Sequence, residues 1–316
     1  MGNSQIIKGQ TKGIWGKLKY DLWRYKFVYF LMIPGLLLLL IFSYYPLYFL
    51  QIAFKKYTIY TGLEGAVWCG LDNFKRLFET RYFLQAIKNT FIISFMKIII
   101  GFPMPIILAL LLNEIRSVWF KKGIQTIVYL PHFLSWVIVA SIWINILSPE
   151  GGIVNEFLVK VFHIDPIFFM ADKSVFRWVV VAADVWKETG WGTIIYLAAL
   201  TGIDLALYES ARVDGANRLQ QILHITLPSI LPVILVVFIL GLAKVLNIFD
   251  QVFVMYNPVV AEVAETIDTY VYQIGMVNGD IAFATAVGLF KNIISLVLVL
   301  GTNWISKKIQ GVSVID

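Results

Sequence analysis

Asp184, Lys187 and Glu188 sit close together in one long apolar stretch, with Trp186 and Trp191 among them and Tyr196 further along. On a helix, Asp184 and Glu188 stand four apart and share a face, with Lys187 beside them. An ionisable group at membrane depth costs several kcal/mol, so it faces a cavity or a partner. Aromatic rings next to hydrogen-bonding groups suit a sugar, whose ring has an apolar face and a fringe of hydroxyls. The competing reading is a buried structural ion pair, Asp184 with Lys187 or with Lys244. Lys187 set against a substrate carboxylate would instead favour an acidic sugar. Asn247 and Asp250 near the end of one apolar block, and Lys291 and Asn292 inside the last, are further pathway candidates. Packing or an interfacial role accounts for each of these equally well. Lys97, close to Pro103 and Pro105, reads as structural.

A second constellation is polar and lies between apolar blocks: Tyr208-Glu-Ser-Ala-Arg-Val-Asp-Gly-Ala216, then Ile222, Ile225 and Leu227-Pro228. Asp204 is placed to cap a short helix that carries Glu209 and Arg212 as an i,i+3 pair. Asp214-Gly215 then turns the chain, because glycine tolerates backbone angles closed to other residues. A second amphipathic turn over 216–225 leads into an apolar helix, with Pro228 in the tolerated first turn. Such a helix–turn–helix, joined to membrane helices at both ends, can pass a push from a soluble partner into the bilayer.

Other chemistries find no support. No G-x-x-x-x-G-K-[ST] occurs, so the chain has no loop of its own to cradle nucleotide phosphates. No HExxH, GxSxG or paired-carboxylate motif marks a catalytic centre. Cys69 is the single cysteine, which rules out an intramolecular disulfide, and His132, His163 and His224 are scattered rather than spaced as metal ligands. No catalytic or metal-binding residue is therefore expected.

The elements that must position these residues are membrane helices. Of the 316 residues, 59% are hydrophobic and only 15% charged, and the mean hydropathy is +0.77. The apolar residues come in blocks of the roughly 20 residues that a spanning helix needs, and runs such as Gly35–Ile41 do not alternate as barrel strands do. Six spans are expected, at about 27–50, 89–112, 124–147, 175–200, 227–249 and 281–305, with the polar loop at 201–226 between the fourth and fifth. They make one transmembrane domain, 27–305, between a tail at 1–26 and a tail at 306–316. The first block is too long for a signal peptide and reads as a retained anchor. The net charge of +6 lies along the spans as juxtamembrane Lys and Arg, which argues against nucleic acid. The N-terminal tail, the short loop with Arg116, Lys121 and Lys122, and Lys307-Lys308 are basic, whereas 250–280 has no Lys or Arg. That bias predicts both termini in the cytoplasm. Trp15, Trp23 and Trp304 suit interfacial belts.

The spacing E-S-A-x-x-D-G-A, nine intervening residues after Gly215, Ile225, then L-P resembles the EAA loop of binding-protein-dependent ABC importer permeases. Glu209, Ala211, Gly215, Ile225 and Pro228 match that motif, and Asp214 and Ala216 match its sugar-importer version. Ser210 departs from the usual alanine but is also small. Gly70-Leu-Asp-Asn-Phe74, Ser135-Trp-Val-Ile-Val139 with Trp143, Trp186-Lys-Glu-Thr-Gly190 and Tyr196-Leu-Ala-Ala-Leu200 extend the resemblance over about 25–305. The resemblance implies an all-α, six-span, MetI-like type I ABC importer permease, similar to those of oligosaccharide and polysaccharide-fragment importers. It also implies a bacterial cell membrane location, with Tyr208 to Ala216 and Pro228 as the ATPase-coupling segment. The implied partners are two ABC ATPase subunits that hold ATP and magnesium, a second related permease in a heterodimer, and an extracellular solute-binding protein. An ion-coupled secondary carrier is the alternative, but such folds carry inverted repeats and no convincing repeat is present. A membrane-embedded enzyme would need clustered acids or histidines, and the acids here are dispersed.

Overall fold

The computed structural model describes residues 20–310, with side chains described to 308. Residues 1–19, including Trp15, and 311–316 lie outside the described residues. Among the described residues, four helical stretches are long and apolar enough to cross a membrane: Lys26–Phe54, Arg81–Glu114, Arg218–Leu242 and Ile281–Lys308. Two bent pairs raise the number to six if each counts as one span. These are Val118–Phe133 with Trp136–Ile146, bent by 106°, and Phe176–Thr201 with Leu205–Val213, bent by 73°. The chain is thus a mostly helical polytopic membrane protein.

The chain divides into two compact units at Ile52/Ala53. In the first, α1 (Lys26–Leu39) continues through a wide π turn at Leu40–Tyr44 into a 3-10 stretch beginning at Tyr45. The second unit opens on a two-residue antiparallel hairpin, β1 (Lys55–Lys56) with β2 (Val67–Trp68), which departs from an all-helical reading. Asn73 of the Gly70–Phe74 motif holds this hairpin, its amide donating to the carbonyls of Ala53 at 2.9 Å and Lys55 at 3.3 Å.

Besides single turns at Gly62–Gly65 and Ala261–Ala264, the further α-helices among the described residues are α2 (Asp72–Glu79), α3 (Arg81–Met96), α4 (Pro103–Glu114), α5 (Val118–Tyr129), α6 (Trp136–Ile146), α7 (Ile153–Phe162), α8 (Phe176–Thr201), α9 (Leu205–Val213), α10 (Arg218–Gln221), α11 (Leu227–Leu242), α12 (Phe249–Met255), α13 (Ile267–Tyr272) and α14 (Ile281–Gln310). Of the four π turns among the described residues, three, Leu40–Tyr44, Lys97–Gly101 and Ile222–Thr226, lie just ahead of Pro46, Pro103 and Pro228. A proline has no N–H to give and crowds the carbonyl four residues back, so the preceding turn widens instead of breaking. The helical stretches Lys26–Phe54, Arg81–Glu114 and Arg218–Leu242 run on through these prolines.

α8 lies at the centre of the second unit. Thr193 donates to the Pro105 carbonyl of α4 at 3.2 Å. Gly190 passes so close to α5 that a β-carbon there would collide with the Val128 carbonyl. The main apolar core gathers Val179, Val180 and Ala183 of α8 with Ile93, Val139, Ile248 and Val252.

Candidate coupling loop and polar pathway

The polar loop between α8 and α11 is built from caps. Asp204 accepts the Ala206 N–H at 2.9 Å and starts α9. α9 ends in a Schellman turn: Gly215, at φ +79°, donates to the Arg212 carbonyl, and Ala216 donates to the Ala211 carbonyl at 2.8 Å. A β-carbon on Gly215 would meet nothing within 4 Å. Its requirement is therefore conformational rather than spatial. Asn217 and Gln220 then form a reciprocal capping box that starts α10. The Tyr208 hydroxyl bonds Thr226 at 2.9 Å, which ties α9 to the base of α11. Gln221 is buried and donates to the Ala216 carbonyl. The result is two short helices locked to each other and to the foot of a membrane helix.

Glu209, Ser210, Arg212, Asp214, Gly215 and Pro228 are exposed in this loop, with Ala211 and Ala216 half-buried. The expected Glu209–Arg212 pair is not formed. The cation that pairs here is Arg218, which reaches Glu114 of α4 at 3.6 Å. Glu209 and Arg212 are left to solvent, where a surface pair gains little over hydration. Ser210 bonds back to the Ala206 carbonyl and stays within its own helix. A hollow of about 330 Å³ lies between the two short helices, lined by Ala211, Asp214, Gly215, Ala216 and His224 among others.

The charged group in α8 resolves into two separate arrangements. Asp184 pairs with Lys97 at 2.9 Å, and not with Lys187 or Lys244 as expected. Lys97 also donates to Gln251 of α12 at 3.1 Å. Lys97 stands in the π turn ahead of Pro103, and that widened turn belongs to the structural bend expected there. Both carboxylate and ammonium are largely shielded, so the attraction acts in a medium of low dielectric.

Lys187 and Glu188 serve the break between α5 and α6. The Lys187 ammonium donates to the His132 carbonyl at 2.6 Å and lies 5.7 Å from the Trp136 ring. Glu188 meets the His132 ring nitrogen at 2.8 Å and Lys187 at 3.4 Å. His132 in turn stacks on Trp191, 4.6 Å between centroids and 3° from parallel. The expected single span at 124–147 is thus two helices meeting at Leu134-Ser135. The end of the first is capped by a cation from α8, and the start of the second by the Ser135 hydroxyl. Lys187 is fully engaged here, which leaves the acidic-sugar reading without a free cation at that position.

Trp186 is exposed and makes an edge contact with Trp143. Asn247, Asp250 and Asn292 are exposed as well, with Asp250 in the first turn of α12. Lys291 is instead buried in an ion pair with Asp268 at 2.5 Å. The structure does not gather Asn247, Asp250 and Asn292 around the α8 group by any hydrogen bond. His132, Trp136 and Gln251 were missed as site neighbours. Pro131 and Ser135 were the signals for the break beside His132.

Residues 101–311 match the family described as the inner membrane component of binding-protein-dependent transport systems. The chain is 43% identical over 292 residues to Protein LplB of Bacillus subtilis, covering 92% of this chain and 90% of that one. It is also 43% identical to the polygalacturonan/rhamnogalacturonan transport system permease protein YteP of the same organism, covering 92% and 91%. Among solved structures it is similar, at 41% identity and a TM-score of 0.87, to a chain of a bacterial alginate ABC transporter in complex with an alginate pentasaccharide-bound periplasmic protein. That likeness covers 94% of this chain and all of the other. A membrane-spanning permease of an ABC-type importer is the class that fold and loop define. The chain belongs to the family of binding-protein-dependent transport system inner membrane components.

Proposed function

We propose that this chain is one permease subunit of an importer that carries an oligosaccharide or polysaccharide fragment into the cell. The observation that carries this reading is the Asp204–Pro228 loop, a capped pair of short helices fastened to the foot of α11, in a chain whose relatives include a polysaccharide permease. Two partner ATPase subunits hold ATP and magnesium and receive Glu209 to Ala216 on their surface. A second related permease completes the path as a heterodimer, and an extracellular solute-binding protein delivers the sugar. Both termini lie in the cytoplasm with the loop.

Closure of the ATPases pushes α9, and Tyr208–Thr226 passes the displacement to α11. α8 turns with it, because α8 enters the same loop. α8 also carries Asp184, paired with Lys97 of the turn preceding α4, and Lys187, bonded to the α5–α6 break, so those elements move together. Trp186, Glu188, Asn247, Asp250 and Asn292 supply the exposed rings, acceptors and donors that a hydroxylated substrate meets along the path, with Asp184 and Lys187 holding its frame.

The test is affinity purification of the tagged chain from its own membrane, followed by reconstitution. The reading expects two ATPase copies and one other permease to co-purify, and ATP to drive uptake of a labelled oligosaccharide. Uptake by the chain alone, driven by a proton or sodium gradient, would instead establish a secondary carrier.

A further inference from the structure

A cavity of about 700 Å³ lies away from both the coupling loop and the α8 cluster. Its size is within the roughly 300–1,000 Å³ usual for small-molecule sites. It opens between α2, α12 and α13, at the end of the spans opposite the coupling loop. Its walls include the rings of Tyr82, Phe253, Tyr256 and Tyr272, each more than a third exposed. Phe253 and Tyr272 are fixed edge-to-face at 5.0 Å, and Phe249 stacks behind Phe253 at 4.9 Å. This is a rigid aromatic wall rather than a set of mobile surface rings.

Glu265 also lines the cavity, and its carboxylate has no ion-pair or hydrogen-bond partner among the described residues. Its backbone is fixed, since its carbonyl accepts from Asn89 at 2.8 Å. Burial pushes its carboxyl above the usual carboxylate range, with no cation to offset the cost. The cation in the wall, Arg76, is already committed to Asp280 at 2.6 Å and lies over the Phe283 ring at 4.2 Å.

These observations select among ligands. An apolar chain would leave the Glu265 carboxylate half-buried and unsolvated, which is costly. An anion would meet that carboxylate, while the cation in the cavity's own wall, Arg76, is already paired with Asp280. A neutral polyhydroxylated ring satisfies both surfaces, its hydroxyls donating to Glu265 and its C–H face lying on the tyrosines. We propose that this cavity is an outer subsite for a neutral sugar unit, occupied before the substrate reaches the α8 cluster. The proposal rests on the carbohydrate-import reading above.

The experiment uses the assembled transporter in lipid nanodiscs, without the binding protein, and two probes, a neutral gluco-trisaccharide and trigalacturonate. Binding is read by saturation-transfer NMR. The neutral probe is expected to bind and trigalacturonate to bind more weakly. Tyr272→Ala and Tyr82→Ala should each weaken the neutral probe roughly threefold to tenfold, the size of one aromatic contact. Tyr82 is 71% exposed, so its variant tests the subsite without endangering the fold. Equal binding by wild type and both variants, or tighter binding of trigalacturonate, overturns the subsite. Wild-type uptake of labelled sugar runs alongside: its absence overturns the import reading, whereas uptake with no variant effect on binding overturns the subsite alone.

Discussion

Lys187 and His132 belong to different spans, and the Lys187 ammonium closes the open end of the α5 segment by donating to the His132 carbonyl at 2.6 Å. A span broken by 106° exposes backbone groups that lipid cannot satisfy. Here a neighbouring helix supplies the donor, so the break is a fixed feature of the fold. Lys187→Met should lower stability by about 1.5–3 kcal/mol, the usual worth of a hydrogen bond to a charged group. Thermal unfolding of the purified assembly in nanodiscs measures this, and an unchanged melting temperature would contradict the capping role.

The Lys97–Asp184 pair joins the π turn ahead of α4 to the middle of α8. Lys97→Met or Asp184→Leu alone strands a buried charge and should cost about 3–5 kcal/mol. The double variant should cost well below the sum of the two, because neither charge is left alone. Unfolding free energies of the four proteins give the coupling directly, and additive losses would show that the pair does not act as a unit.

Gly190 allows α8 to approach α5 at Val128. Gly190→Ala forces backbone against backbone and should destabilise by about 1–3 kcal/mol. Gly241, whose added β-carbon would meet nothing within 4 Å, serves as the control and should tolerate alanine. Equal melting temperatures for the two variants would count against the close packing.

Lys173 holds Glu262 at 2.7 Å in the connection before α13, and this contact keeps the Glu262 carboxyl below its usual value. A lowered folded value means that the stabilisation is present above the unfolded value near 4.5 and is lost as pH falls through the folded one. The melting-temperature gap between wild type and Glu262→Gln should therefore be steady at neutral pH and close in acid. A gap that widens below pH 4.5 would reverse the assigned sign.

The coupling loop was the most legible part of the sequence, because its geometry is local. Asp204 as a cap and Asp214-Gly215 as a turn each depend on residues within a few positions of one another, and both are found where the residue types place them. The partner of Asp184 was not legible, since Lys97 is remote in sequence and no pattern near Asp184 selects it over Lys187 or Lys244. The α5–α6 break was half legible: Pro131 and Ser135 carry the signals of a helix end and a helix start, but continuous hydrophobicity over 124–147 masked them. The Glu209–Arg212 pairing failed for the opposite reason. Spacing allowed it, yet both groups are exposed and gain nothing decisive by meeting.

The central claim is that the Asp204–Pro228 loop transmits force from partner ATPases to the spans. Its most direct test is ATP-driven oligosaccharide uptake by the reconstituted assembly carrying Gly215→Val or Glu209→Lys, with membrane insertion and subunit content checked alongside. Valine resists the left-handed backbone that Gly215 adopts at φ +79°, and the lysine reverses the charge offered by an exposed face of α9. The account predicts normal insertion with uptake reduced roughly tenfold or more in each variant. Wild-type uptake by both would contradict it.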